Sequence, residues 1–108
     1  MIDIHTTPAK EIIEGFHGRF VHTKNNTLAW WEIKKGAILP RHSHVHEQVT
    51  QVLEGRFQLT VGNETFICEP GYVKVIPPHI EHEGVALTDC KIFDLFAPQR
   101  PEYNNDED

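Results

Sequence analysis

A chain of 108 residues with 39% hydrophobic content is long enough for one domain that buries roughly two thirds of its unfolded surface, and too short for two. Its formal net charge of -6 argues against a nucleic-acid backbone as partner. Much of that charge is terminal: with Glu102, the residues Asp106, Glu107 and Asp108 crowd the C-terminal end, so residues 104–108 are read as a solvated, disordered acidic tail on a domain of residues 1–103.

In chain order the pattern is mostly strands. Ile2 and Ile4 alternate with polar residues, which predicts a short N-terminal strand, and Ala9 to Glu14 could make one helical turn before Gly15. This N-terminal stretch carries early acid and no long apolar run, so neither a signal peptide nor a membrane span is expected, and a cytoplasmic location is. Arg19 to Thr23 and Thr27 to Ile33 flank a Lys24-Asn25-Asn26 turn and should form a hairpin. Trp30 and Trp31 are adjacent, so on a strand they point to opposite faces, and one of them could be buried in a homodimer. A long strand is expected from the stretch after Gly36 through Val49 and Val52 to Glu54-Gly55, followed by Arg56 to Val61 as its hairpin partner. Gly62-Asn63 and Pro70-Gly71 bound Glu64 to Glu69, Tyr72 to Ile76 follows, and Pro77-Pro78 interrupts. Gly84 to Leu87 and Cys90 to Phe96 complete the set across a Thr88-Asp89 turn. Many short strands with turn signals and no helical period predict an all-β sandwich or barrel. Cys68 and Cys90 each sit in an apolar, strand-like run and in no C-x-x-C pair. Reduced core thiols are expected, with a Cys68 to Cys90 disulfide left open.

Within the long strand, His42, His44, His46 and Gln48 occupy every second position, so in extended conformation four potential ligands project from one face. Imidazole suits late first-row divalent metals, and His82, just after the proline pair, is a candidate further ligand. The alternative is that these histidines are merely polar residues on an exposed strand; clustered histidines at regular spacing favour a metal site.

The last strand adds a carboxylate within an apolar run. Asp94 shares its strand face with Ile92 and Phe96, so it is either exposed at an edge or turned inward, where desolvation would raise its pKa and nearby cations would lower it. Arg100 follows and could fold back to offer a two-pronged grip on a carboxylate, or simply form an ion pair with Asp94.

Two spaced motifs carry a family resemblance. Gly36, five residues, His42-Ser43-His44, three residues, Gln48, six residues, Gly55 resembles the first cupin motif, with Gln48 where Glu is usual. Gly71, five residues, Pro77 and then His82 resembles the second, with His79 and Ala86 where Gly and Asn are common. The resemblance implies a double-stranded β-helix, a jelly-roll barrel with a metal inside and its mouth open to ligand. Adding Asp94-x-Phe96-x-Pro98-x-Arg100 and Tyr103, the chain is similar to the small cupins called pectin degradation protein, which convert 4,5-unsaturated monouronates to linear ketones. That similarity implies that His42, His44, Gln48 and His82 bind one divalent transition metal such as Ni, Zn, Mn or Fe. It also implies that Asp94, Phe96 and Arg100 line the substrate end, with Asp94 and Arg100 as the catalytic pair. His46 stands on the ligand face but outside the motif, so its role is open.

A neutral Gln48 ligand beside neutral imidazoles would leave the ion's charge undiminished, which favours holding an anionic or enolic oxygen over redox chemistry. The resemblance implies a small sugar acid as partner, and no organic cofactor, nucleic acid or membrane is expected. The alternatives are a non-catalytic sugar-acid-binding cupin, or another cupin enzyme such as a metal-dependent dioxygenase or isomerase.

Overall fold

A computed structural model describes residues 1–103 of the chain, so the acidic stretch 104–108 lies outside the described residues. The strands are β1 (Lys10–Ile13), β2 (Phe16–His22), β3 (Thr27–Ile33), β4 (Ile38–His42), β5 (Glu47–Glu54), β6 (Phe57–Val61), β7 (Glu64–Cys68), β8 (Val73–Ile76), β9 (His82–Ala86) and β10 (Cys90–Ala97). They form a six-stranded sheet in the order β1-β2-β3-β10-β5-β8 and a four-stranded sheet in the order β4-β9-β6-β7, with every pairing antiparallel. The all-β jelly roll anticipated from the sequence is the observed architecture. Among the described residues no helix is long and apolar enough to cross a membrane.

Alternation builds the core. Phe16 and Phe20 of β2, Trp31 and Ile33 of β3, Ile92 and Phe96 of β10 and Val52 of β5 face Phe57 and Leu59 of β6 across the gap between the sheets, each at most 7% exposed. Each large apolar side chain shut away in this manner contributes about 1.5–3 kcal/mol. Within the four-stranded sheet Gly84 of β9 leaves room for the Phe57 ring of neighbouring β6, which a Cβ there would overlap. Trp31 points inward, whereas Trp30 packs on Phe93 at 5.1 Å on the outer face of the sheet, as their adjacency requires.

Four local expectations are overturned. Ile2 and Ile4 make no strand: Ile4–Thr6 is a 3-10 turn capped by Asp3, whose carboxylate accepts from the His5 amide and whose carbonyl accepts the Thr6 and Thr7 hydroxyls. Residues 9–14 are not helical either, because β1 pairs with β2, and a register shift between Glu11 and Ile13 lets both Ile12 and Ile13 pack against the core.

The long histidine-bearing strand is the third. It breaks after His42 into β4 and β5, which belong to different sheets. Nor do β5 and β6 form a hairpin, since β5 pairs with β10 and β8 while β6 pairs with β7 and β9. Gly55, at φ +92°, makes the crossing between the sheets and leaves no room for a side chain against Asp89.

Cys68 and Cys90 are both buried free thiols, so the disulfide left open by the sequence is not formed. Burial raises the pKa of each.

Candidate metal centre and its cavity

The break in the histidine segment is what shapes the site. His42 ends β4, His44 and His46 lie in the connection between the sheets, and Gln48 is the second residue of β5. On the neighbouring strand His82 opens β9 and stands opposite His42 in the register. The side-chain nitrogens of His42, His44 and His82 consequently lie within 4.8 Å of one another, close enough to share one ion. Ring centroids are 4.3 Å apart for His42 and His82 and 5.0 Å for His44 and His82.

The hydrogen bonds behind these rings determine what they present inward. His42 Nδ1 donates to the Pro40 carbonyl at 2.8 Å, His82 Nδ1 to the Ile80 carbonyl at 2.9 Å and His44 Nδ1 to the His46 carbonyl at 3.0 Å. A neutral imidazole with its proton on Nδ1 carries a lone pair on Nε2. His44 is held neutral by burial first and by the nearby Arg100 next, which together push its pKa down to about 4, against a smaller upward pull from Gln48. Burial likewise lowers His82, with the Ile80 carbonyl opposing and His42 adding to the fall.

Three lone pairs therefore converge where none of the described residues donates to them, and His82 Nε2 is buried with no partner among those residues. Gln48 adds a further acceptor: its Oε1 lies 3.1 Å from His44 Nε2, near the separation of about 3 Å for adjacent donors on an ion held at about 2.1 Å. Acceptors facing acceptors in a partly buried site are unfavourable without a cation between them. The residues present thus fit a divalent metal, and His42, His44 and His82 can hold it with Gln48 beside them.

His46 is not part of this cluster. Its Nε2 donates to the Gln99 carbonyl at 3.3 Å and its ring lies 6.3 Å from Phe96, so it ties the C-terminal segment to the histidine connection. That segment is pinned elsewhere too, by Gln99 Nε2 on the Thr23 carbonyl and the Arg100 amide on Thr27 Oγ1, each at 2.8 Å. Arg100 consequently folds back over the mouth of the barrel. Its guanidinium lies 4.8 Å from the Phe96 ring and 4.4 Å from the Tyr103 ring, a stacked arrangement for which Arg is suited. Its ion-pair partner is Glu102, at 2.8 Å, rather than Asp94.

Beside the histidines lies a cavity of about 420 Å³, within the range of small-molecule sites. His42, Gln48, Thr50, Asp94, Phe96 and Arg100 line it, and Ile12, Ile13 and Leu39 contribute an apolar wall. Asp94 is turned inward and 7% exposed. Burial raises its pKa to about 6; Thr50, Gln48, Trp31 and Arg100 pull it down, though no hydrogen bond closes on Oδ1.

The residues that the resemblance assigned to the site come together here, His44 and His82 through the histidine cluster and His42, Gln48, Asp94, Phe96 and Arg100 on the cavity wall, whereas His46 stands apart. Two neighbours were missed. Thr50 shares the strand parity of Gln48 and Val52, a signal available in the sequence. Glu102 had been assigned to the acidic end of the chain, and its bond to Arg100 depends on how that end folds back.

Known proteins share this arrangement of strands. KdgF from Halomonas sp. superposes with a TM-score of 0.90 at 27% identity, over 96% of this chain and 97% of that one. An RmlC-like cupin from Shewanella frigidimarina gives a TM-score of 0.91 at 26% identity, over 96% of this chain and 95% of that one. An uncharacterized protein of Streptomyces coelicolor is 24% identical over 86 residues, which are 79% of this chain and 82% of the relative. Residues 29–96 match the family model described as the cupin domain, and with the jelly roll and the histidine cluster on the same strands, the chain belongs to the cupin family.

Proposed function

We propose that the protein opens 4,5-unsaturated monouronates to linear keto acids in a metal-dependent isomerisation. The observation that carries this reading is that Asp94, Phe96 and Arg100 line the same cavity as His42 and Gln48. The sequence similarity to uronate-linearising cupins and the structural likeness to KdgF of Halomonas sp. support it.

The substrate is a cyclic enol ether with a hemiacetal at C1 and a carboxylate on the alkene. In the net reaction the C1 hydroxyl proton leaves, the bond from C1 to the ring oxygen breaks to give an aldehyde, and the enolate left at C5 takes a proton at C4. No oxidant or second substrate is needed. Arg100 holds the substrate carboxylate with the N–H groups that Glu102 does not use, and Phe96 packs on the sugar face. Asp94 moves a proton within the cavity: a carboxyl brought up to about 6 both accepts and returns a proton near neutral pH. When bound, a divalent metal supplies electrophilic stabilisation for the developing oxyanion. Neutral nitrogen and amide-oxygen donors suit nickel, zinc, manganese or iron.

The test is to supply metal-loaded protein with an unsaturated monouronate and follow the ultraviolet absorbance of the conjugated alkene. Loss of absorbance at a rate proportional to enzyme is expected. Tight binding with unchanged absorbance would replace the enzyme with a sugar-acid-binding protein.

A further inference from the structure

We infer that Thr50 is a positioning residue of the metal centre: its hydroxyl sets the direction of the Gln48 amide, so that the carbonyl oxygen and not the amino group faces the histidines. A primary amide has nearly the same shape either way round, and its partners decide which end points where. Gln48 and Thr50 are 7% and 6% exposed, so neither has bulk water as an alternative partner.

Left to itself the amino end would turn toward the histidines, where lone pairs await a donor. Instead Gln48 Nε2 donates to Thr50 Oγ1 at 3.0 Å, and Gln48 Oε1 is the atom near His44 Nε2. The reason lies on the far side of the hydroxyl. Asp94 stands directly opposite Thr50 in the pairing of β5 with β10, which sets a carboxylate acceptor on the neighbouring strand. A hydroxyl has one proton and two lone pairs; with an acceptor such as Asp94 available for the proton, a lone pair is left for Gln48, which offers its N–H. With its N–H given to Thr50, the amide leaves the Gln48 oxygen for the ion.

This rests on Gln48 serving as a metal ligand and not on the uronate reaction, because it is read from metal affinity alone. Nickel binding is measured by calorimetry for the parent, Thr50→Val, Thr50→Ser, Gln48→Ala and the Gln48→Ala/Thr50→Val double variant. Circular dichroism and melting verify that each is folded, and Thr50→Ala serves as the hydroxyl-free variant should Thr50→Val misfold. Thr50→Val should weaken nickel binding about 10- to 100-fold, the effect typical of removing a group that orients a ligand. Thr50→Ser should bind close to the parent, and adding Thr50→Val to Gln48→Ala should cost nothing more. Parental affinity in Thr50→Val would overturn the inference. So would an equal loss in Thr50→Ser, which points to the methyl group and packing, or a full additional loss in the double variant, which means Thr50 acts without the amide. If Gln48→Ala alone binds nickel like the parent, the amide is no ligand and the inference falls with it, while the absorbance assay still judges the uronate reaction separately.

Discussion

Arg100 Nε donates to Glu102 Oε2 at 2.8 Å, so the guanidinium proposed to hold a substrate carboxylate already holds one of the chain's own. Glu102 is half exposed and the pair is screened by solvent. Glu102→Gln should therefore lower KM for a uronate only modestly, by about two- to fivefold. Arg100→Ala should raise it by about 10- to 100-fold, the usual loss for a charge-assisted hydrogen bond. Steady-state kinetics on both variants check this, and an increased KM in Glu102→Gln would mean that Glu102 orients Arg100 rather than competing for it.

Elemental analysis should find about one divalent ion per chain after metal loading, since one cluster supplies the donors. His42→Ala and His82→Ala should each abolish binding. His46→Ala should reduce affinity much less, because that ring bonds to the Gln99 carbonyl, and should act mainly on KM by loosening the segment that carries Arg100. Equal loss of metal in all three variants would put His46 among the ligands.

Asp94→Asn should keep the metal and sugar-acid affinity while losing about 10²- to 10⁴-fold in kcat, as when a general acid or base is removed. It also has a signature in stability. In the metal-free protein burial raises this carboxyl from 3.8 to about 6, so between those values the folded chain holds a proton that the unfolded chain has lost. The stabilisation from that proton is complete below about pH 4 and is lost as pH rises through about 6. The resulting cost of about 3 kcal/mol above pH 6 should be relieved in Asp94→Asn. Chelator-treated Asp94→Asn should melt above the parent at pH 8 and level with it near pH 4.

Gln48→Glu should bind metal at least as tightly yet turn over more slowly at saturating metal. An anionic ligand reduces the electrophilicity of the ion. The new carboxylate would also lack the N–H that Gln48 gives to Thr50 and would stand near Asp94, raising its pKa further. Unchanged or faster turnover would remove the functional meaning assigned to the amide.

That histidines cluster here was legible from spacing, but the geometry of the cluster was not. His42, His44 and Gln48 alternate as if along one strand, whereas their side chains converge because the chain leaves one sheet after His42 and enters the other at Glu47. Which sheet a strand joins is decided by distant partners, β9 for β4 and β10 for β5, and no local pattern encodes that. Asp94 was readable as a residue of the same face as Ile92 and Phe96, and it is indeed turned inward with them. The Arg100 position depended on contacts with Thr27, Phe96 and Tyr103, which link residues far apart in the chain. At the N-terminus the reverse held: Asp3 makes its own local turn and overrides a weak alternation.

The crossing between sheets also makes the centre a staple. His42 and His82 come from the four-stranded sheet and Gln48 from the six-stranded one, so an ion held by all three would clamp the two layers together at the barrel mouth. Releasing the ion and prying the layers apart there become one event, and ion binding stabilises the closed form by mass action. Amide hydrogens of β4 and β9 should then exchange faster when the ion is stripped, while those shared by β2 and β3, which contribute none of the proposed ligands, should hardly change. Local breathing of the mouth would thus be governed by occupancy of the centre.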